Sequence, residues 1–142
     1  MTEEKPVNRK PLGLLPNGTS IRVIVVDDEF SHRRIMVQVL KSASFDVVAE
    51  GVNGEDALKM VPQFKPKFLF MDYHMPRVDG LEALKKLHVS NPDTKVVICT
   101  TDNDKDHVLE LLKSGACEYI VKPIDRKVVM QKLEKLVGLP PS

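Results

Sequence analysis

Five short apolar runs, each followed by a stretch of helical periodicity, constrain this chain more than any other feature. The runs cover residues 21–26, 45–49, 67–71, 95–99 and 118–121. They are strand-length, rich in Val, Ile and Phe, and too short for buried helices. Between them, apolar residues recur at helical spacing. Residues 31–42 carry Ile35, Val39 and Leu40, residues 54–64 carry Ala57, Leu58 and Val61, and residues 79–89 carry Leu81, Leu84 and Leu87. Residues 104–114 carry Val108, Leu111 and Leu112 and stop at Gly115, and residues 125–137 carry Val129, Leu133 and Leu136 and stop at Gly138. Glycine just past a helix end supplies a left-handed cap.

Five consecutive βα repeats predict an α/β fold, a parallel sheet covered on both faces by five helices. Crossovers of one hand leave few topologies, and for five strands the common one is the flavodoxin-like, doubly wound order 2-1-3-4-5. A chain of 142 residues fits one such domain with a real core. The expected boundaries are a mobile N-terminal tail at 1–20, the domain at 21–138 and a C-terminal tail at 139–142. Pro6, Pro11, Pro16, Gly13 and Gly18 punctuate the first segment, where only Leu12, Leu14 and Leu15 cluster as apolar. A docking arm, or a segment folding back on the domain, is the alternative there.

A net charge of +1 makes no electrostatic case for nucleic acid or a membrane surface. The apolar runs fall far short of a membrane span. Met-Thr-Glu-Glu-Lys at the start lacks the pattern of a signal peptide, so the expected compartment is the cytoplasm. Cys99 and Cys117 fit no metal or redox spacing and read as buried, reduced thiols.

The chemistry lies at the ends of the strands. The first run leads into Asp27-Asp28, the third into Asp72, the fourth into Thr100-Thr101 and the fifth into Lys122-Pro123. In an open parallel sheet, ligands bind outside the carboxyl ends of the strands, at the switch point. Here that point lies between the first and third strands. Three carboxylates gathered there repel one another unless a cation joins them or a proton is taken up. Mg2+ suits them: Asp27, Asp28, Asp72 and a backbone carbonyl near His74 are hard oxygen ligands, and no Cys or paired His argues for zinc. With Lys122 and the Thr100 hydroxyl on the far side, the set matches phosphoryl transfer, with Asp72 as nucleophile. Taken singly, each residue has a plainer reading: an aspartate after a strand as an N-cap, Lys-Pro as a loop, the threonines as strand ends. Their convergence favours the site.

At these residues the chain resembles the receiver domain of two-component response regulators, and within that family the single-domain chemotaxis regulators. The resemblance covers roughly residues 21–137. Its motifs are Asp27-Asp28, Met71-Asp72-Tyr-His-Met-Pro76-Arg-Val-Asp79-Gly80, Thr100 and Lys122-Pro123. It implies that a histidine kinase presents a phosphohistidine and that Asp72 accepts the phosphoryl group with Mg2+ bound. Thr100 and Tyr119 then shift together and alter a face built from the fourth helix, fifth strand and fifth helix, where an output protein such as a flagellar motor switch component docks. A phosphatase is a further expected partner. The resemblance also implies a cis peptide between Lys122 and Pro123. His74, Thr101 and Asp102 depart from, or vary within, the family pattern and are expected to tune phosphoryl lifetime. His74 can equally be a plain surface residue, and Tyr119 a partly buried strand aromatic.

The resulting expectation is a stand-alone phosphoaccepting switch, not an enzyme beyond its own phosphotransfer and autodephosphorylation. After Val137 only Gly138-Leu-Pro-Pro-Ser142 remains, too little for a DNA-binding module. A stand-alone receiver in another phosphorelay, or a phosphate sink, would carry the same residues, and a degenerate receiver is the bland rival. An aspartyl-phosphate phosphatase of the haloacid dehalogenase type expects Asp-x-Asp after its first core strand, whereas Asp72 is followed by Tyr73 and His74 on the third. A flavin site needs a small-residue phosphate loop after the first strand, where this chain has Asp-Asp-Glu-Phe.

Overall fold

A computed structural model describes residues 11–138. The expected tails at 1–10 and 139–142 lie outside the described residues. Five strands and five helices alternate: β1 Arg22–Val26, α1 Phe30–Ser42, β2 Asp46–Gly51, α2 Gly54–Phe64, β3 Phe68–Asp72, α3 Gly80–Ser90, β4 Lys95–Thr100, α4 Lys105–Lys113, β5 Ala116–Val121 and α5 Arg126–Leu136. All strand pairings are parallel, in the order β2-β1-β3-β4-β5, as the repeat pattern predicts.

The pleat sends alternate strand residues to opposite faces, and two cores result. On one side Val23, Val25, Phe68, Phe70, Val97, Cys99 and Ile120 pack against Met36, Val39 and Leu40 of α1 and Val129 and Leu133 of α5. On the other, Ile24, Val26, Leu69, Met71, Val96 and Ile98 pack against Ala57 and Val61 of α2, Ala83, Leu84 and Leu87 of α3, and Leu111 of α4. Every residue of β3 is buried, which explains its unbroken apolar run.

Four helices, α2 to α5, start where short polar side chains satisfy free N–H groups. Asn53 Oδ1 accepts from Asp56 N at 2.8 Å and Asp79 Oδ1 from Glu82 N at 2.9 Å. Gly115 (φ +117°) and Gly138 (φ +70°) take the left-handed conformation expected after α4 and α5. The expected strand at 45–49 runs on to Gly51, because β2 is mostly half-exposed and its outer end carries a weak apolar signal.

One expected boundary is corrected. Residues 11–20, assigned to a mobile tail, lie on the domain. Leu12 is buried in the α1–α5 core. Gly13 N donates to the Ala43 carbonyl at 2.8 Å, Ile21 N donates to the Gly13 carbonyl at 2.6 Å, and Leu14 bridges Ser20. Among the described residues, Pro11, Gly13, Pro16 and Gly18, which resembled a linker, belong to a tight turn whose Leu12 fills the core. The thiols need a second correction. Cys99 is buried, but Cys117 is exposed, since the β4–β5 register skips it and leaves it as the extra residue of a bulge in the edge strand β5.

Candidate functional site: an acidic cluster at the sheet switch point

Backbone bonds hold Asp27, Lys122 and the residue after Asp72 at the carboxyl edge of the sheet. Asp27 N donates to the Gly51 carbonyl at 3.0 Å, Tyr73 N to the Cys99 carbonyl at 2.8 Å, and Lys122 N to the Thr100 carbonyl at 2.7 Å. These bonds extend the ladders beyond β1, β3 and β5, so the site is framed by rigid sheet. Gly80 seals one side: a Cβ there would stand 2.5 Å from the Asp72 carbonyl oxygen, so the start of α3 packs directly on the backbone of Asp72.

Asp27, Asp28 and Asp72 come together, each offering a carboxylate oxygen within 4.8 Å of the others. Asp27 and Asp72 are buried, while Asp28 is exposed and leaves the cluster open on one side. The Lys122 ammonium bridges the two buried acids, 2.8 Å from Asp27 Oδ2 and 3.2 Å from Asp72 Oδ1. Asp27 Oδ1 is held by Glu29 N at 2.9 Å. The Lys122–Pro123 peptide is cis.

Three carboxylates against one ammonium leave the cluster short of positive charge. Burial and the neighbouring Asp27 charge push the Asp72 carboxyl up to about 6, with Lys122 pulling the other way. Burial lowers the proton affinity of Lys122, but its bonds to Asp27 and Asp72 outweigh this and raise it. A hard divalent cation resolves the imbalance, since it takes oxygen ligands and keeps several waters. The donor set of three aspartates with one open side fits Mg2+.

The remaining expected residues divide. Thr100 is completely buried at the end of β4, its Oγ1 3.1 Å from His107 Nε2 and 3.1 Å from Asp102 N, which donates to it. Tyr119 is half-buried, with Lys132 Nζ 4.2 Å above its ring. His74 is exposed and packs edge-on against Tyr73 with ring centroids 4.7 Å apart. Thr101 and Asp102 are exposed, and the Asp102 carboxylate accepts from Asp104 N at 2.9 Å in the turn that leads to α4.

Sequence reasoning missed three contributors. Arg33 of α1 donates to the Asp27 carbonyl at 2.8 Å and pairs with Glu50 at 3.3 Å, tying α1 and β2 to the acidic edge. Helical spacing puts Arg33 one turn after Glu29, but nothing local marks its partner. His107 meets Thr100 from the first turn of α4, and a lone histidine there carries no motif. Glu118, an acid in an otherwise apolar strand, was legible as an anomaly and proves buried and paired with Lys132 and Lys135, each at 3.1 Å.

Comparison with known proteins decides the family. The response regulator receiver domain matches residues 23–134. The chain belongs to the response regulator receiver family. Among relatives of this receiver, the chemotaxis protein CheY of Listeria monocytogenes is 36% identical over 115 residues, covering 81% of this chain and 97% of the relative. CheY of Treponema pallidum is 35% identical over 132 residues, covering 92% of each. In structure, CheY in a CheX–CheY–BeF3–Mg complex from Borrelia burgdorferi superposes with a TM-score of 0.87 at 25% identity, covering 92% of this chain and 99% of that one. The receiver is thus of the CheY type. Among the described residues, no helix is long and apolar enough to cross a membrane.

Proposed function

We propose that this receiver is a phosphoaccepting switch of chemotaxis, loaded on Asp72 by a histidine kinase and read by a protein partner. The observation that carries the reading is the cluster of Asp27, Asp28 and Asp72 facing Lys122 at the switch point. An Asp72 carboxylate oxygen bonds to phosphorus while the phosphorus–nitrogen bond of a phosphohistidine breaks, and the imidazole leaves with the electron pair. Asp27, Asp28 and Asp72 would hold Mg2+, which when bound offsets the charge of the transferred group. Lys122, already between two of the acids, supplies a fixed positive charge to the phosphoryl oxygens. The phosphoryl group adds up to about two negative charges, enough to draw the Thr100 hydroxyl and so bias the neighbouring β4–α4 segment. No substrate turns over: the chain catalyses only its own loading and unloading.

Chemotaxis is supported by the CheY relatives, which this chain spans almost end to end. The solved CheX–CheY complex favours a protein partner, and a flagellar motor switch component is the proposed reader. The test is intact mass after incubation with acetyl phosphate, with and without Mg2+, on the wild type and Asp72→Ala. A single Mg2+-dependent phosphoryl adduct, lost in the variant, is expected. Absence of both the adduct and a beryllofluoride complex in the wild type would overturn the reading in favour of a degenerate receiver.

A further inference from the structure

The Thr100 hydroxyl is wholly buried and has two hydrogen-bond partners among the described residues, Asp102 N and His107 Nε2, each at 3.1 Å. A hydroxyl has one proton to give and two positions to receive. Asp102 N is a backbone N–H and can only donate, so it fills one receiving position. If His107 Nε2 also donated, the hydroxyl proton would be buried without an acceptor, which proteins avoid. Proton counting therefore points to a resting arrangement in which the Thr100 hydroxyl donates to His107 Nε2, with the ring hydrogen on Nδ1. Tyr73 holds that ring edge-on from the β3 side, with centroids 4.6 Å apart and planes at 86°.

Resting on the phosphoacceptor reading above, we propose that His107 is a positioning residue that competes with the phosphoryl group on Asp72 for the single Thr100 proton. The hydroxyl cannot donate to both. When a phosphoryl oxygen takes the proton, His107 Nε2 loses its donor, and the ring must acquire a proton on that nitrogen or leave its place. His107 is the third residue of α4, so capture of the hydroxyl is transmitted to the first turn of that helix through one hydrogen bond. Asp102 N stays bonded in either state and keeps the hydroxyl oriented. The His107 bond thereby holds the unloaded state in place.

The test uses beryllofluoride with Mg2+ as the phosphoryl mimic on the full chain. Nitrogen-15 spectra of the imidazoles, with the His107 signals assigned by their loss in His107→Gln, report which nitrogen is protonated. An unprotonated Nε2 at rest that changes on loading is expected. In parallel, His107→Phe keeps a ring against Tyr73 but removes the acceptor, and should tighten beryllofluoride binding about five-fold, the worth of one hydrogen bond. His107→Gln, whose side-chain oxygen can take the Thr100 proton, should restore wild-type affinity. In a Thr100→Val background, His107→Phe should change affinity by less than about two-fold, because the shared bond is already gone. Loading that leaves the His107 signals unchanged, or an equal effect of His107→Phe in both backgrounds, overturns this inference alone. A wild type that takes up neither beryllofluoride nor acetyl phosphate overturns the phosphoacceptor reading and this inference with it.

Discussion

Asp72 and Glu118 are both buried acids on the same sheet, 6% and 5% exposed, and each faces lysine. Their situations are opposite. Burial pushes the Glu118 carboxyl up, but the Tyr119 N–H, Lys132 and Lys135 outweigh it and hold the group below its ordinary value. Burial also pushes Asp72 up, and there Asp27 adds to the effect while one shared lysine only partly offsets it. Two cations around one acid make a finished structural pair. One cation among three acids makes a site that still attracts positive charge. Depth is the same in both places, and the neighbours decide which acid is available for chemistry.

The sharpest way to break this contrast is to remove each acid in turn. Asp72→Ala should abolish the acetyl phosphate adduct, whereas Glu118→Ala should still take up one phosphoryl group, both read by intact mass. Loss of the adduct in a folded Glu118→Ala would make the two acids parts of one device. Next in size is the cation. Mg2+ at a hundred times its dissociation constant should stabilise the wild type by about 2.7 kcal/mol in urea denaturation. It should do nothing for an Asp27→Asn, Asp28→Asn double variant. An equal gain in both proteins would place the ion elsewhere.

Glu118→Ala should cost about 2 kcal/mol of stability, because it strands Lys132 and leaves Tyr119 N without its side-chain partner. Lys135 is 77% exposed and contributes little of this. The smallest effect has the opposite sign. In metal-free protein at pH 7.5, Asp72→Asn should stabilise the fold by about 1–2 kcal/mol, since it removes a poorly compensated charge. The Asp72 carboxyl lies above its ordinary 3.8 in the folded chain, so its contribution is complete below that value and is lost as pH rises through about 6. The gain from Asp72→Asn should therefore vanish near pH 4. Glu118, held low, behaves in reverse: its contribution is present above the ordinary value and is lost as pH falls through the lowered one. Denaturation series of the two single variants across pH would show opposite slopes, and parallel slopes would refute the distinction.

The sheet order and the three aspartates could be read from the chain because both follow from local pattern. Strand-length apolar runs give the sheet, and the first polar residue after the first, third, fourth and fifth runs gives the site. What escaped reading depends on contacts across the chain. Leu12 enters the core only because Gly13 is bonded to the end of α1, a partner no local spacing reveals. His107 matters only because α4 brings it to Thr100. Lys122 was expected to face the transferred group, and the structure adds that it rests between Asp27 and Asp72 beforehand. Cys117 was misjudged because it is the extra residue of a bulge in the edge strand, which no local pattern marks.

The division of each strand between two cores has a further consequence for how such a chain can change over time. Neighbours along β3 belong to opposite sides of the sheet, with Phe68 and Phe70 on one and Leu69 and Met71 on the other. Deleting a single residue there would exchange the contents of both cores and carry Asp72 out of line with Asp27. Insertions and deletions are therefore barred from the central strands. Length changes should be tolerated instead in the turns and helix ends, where they leave the spacing from each strand to its charged residue intact.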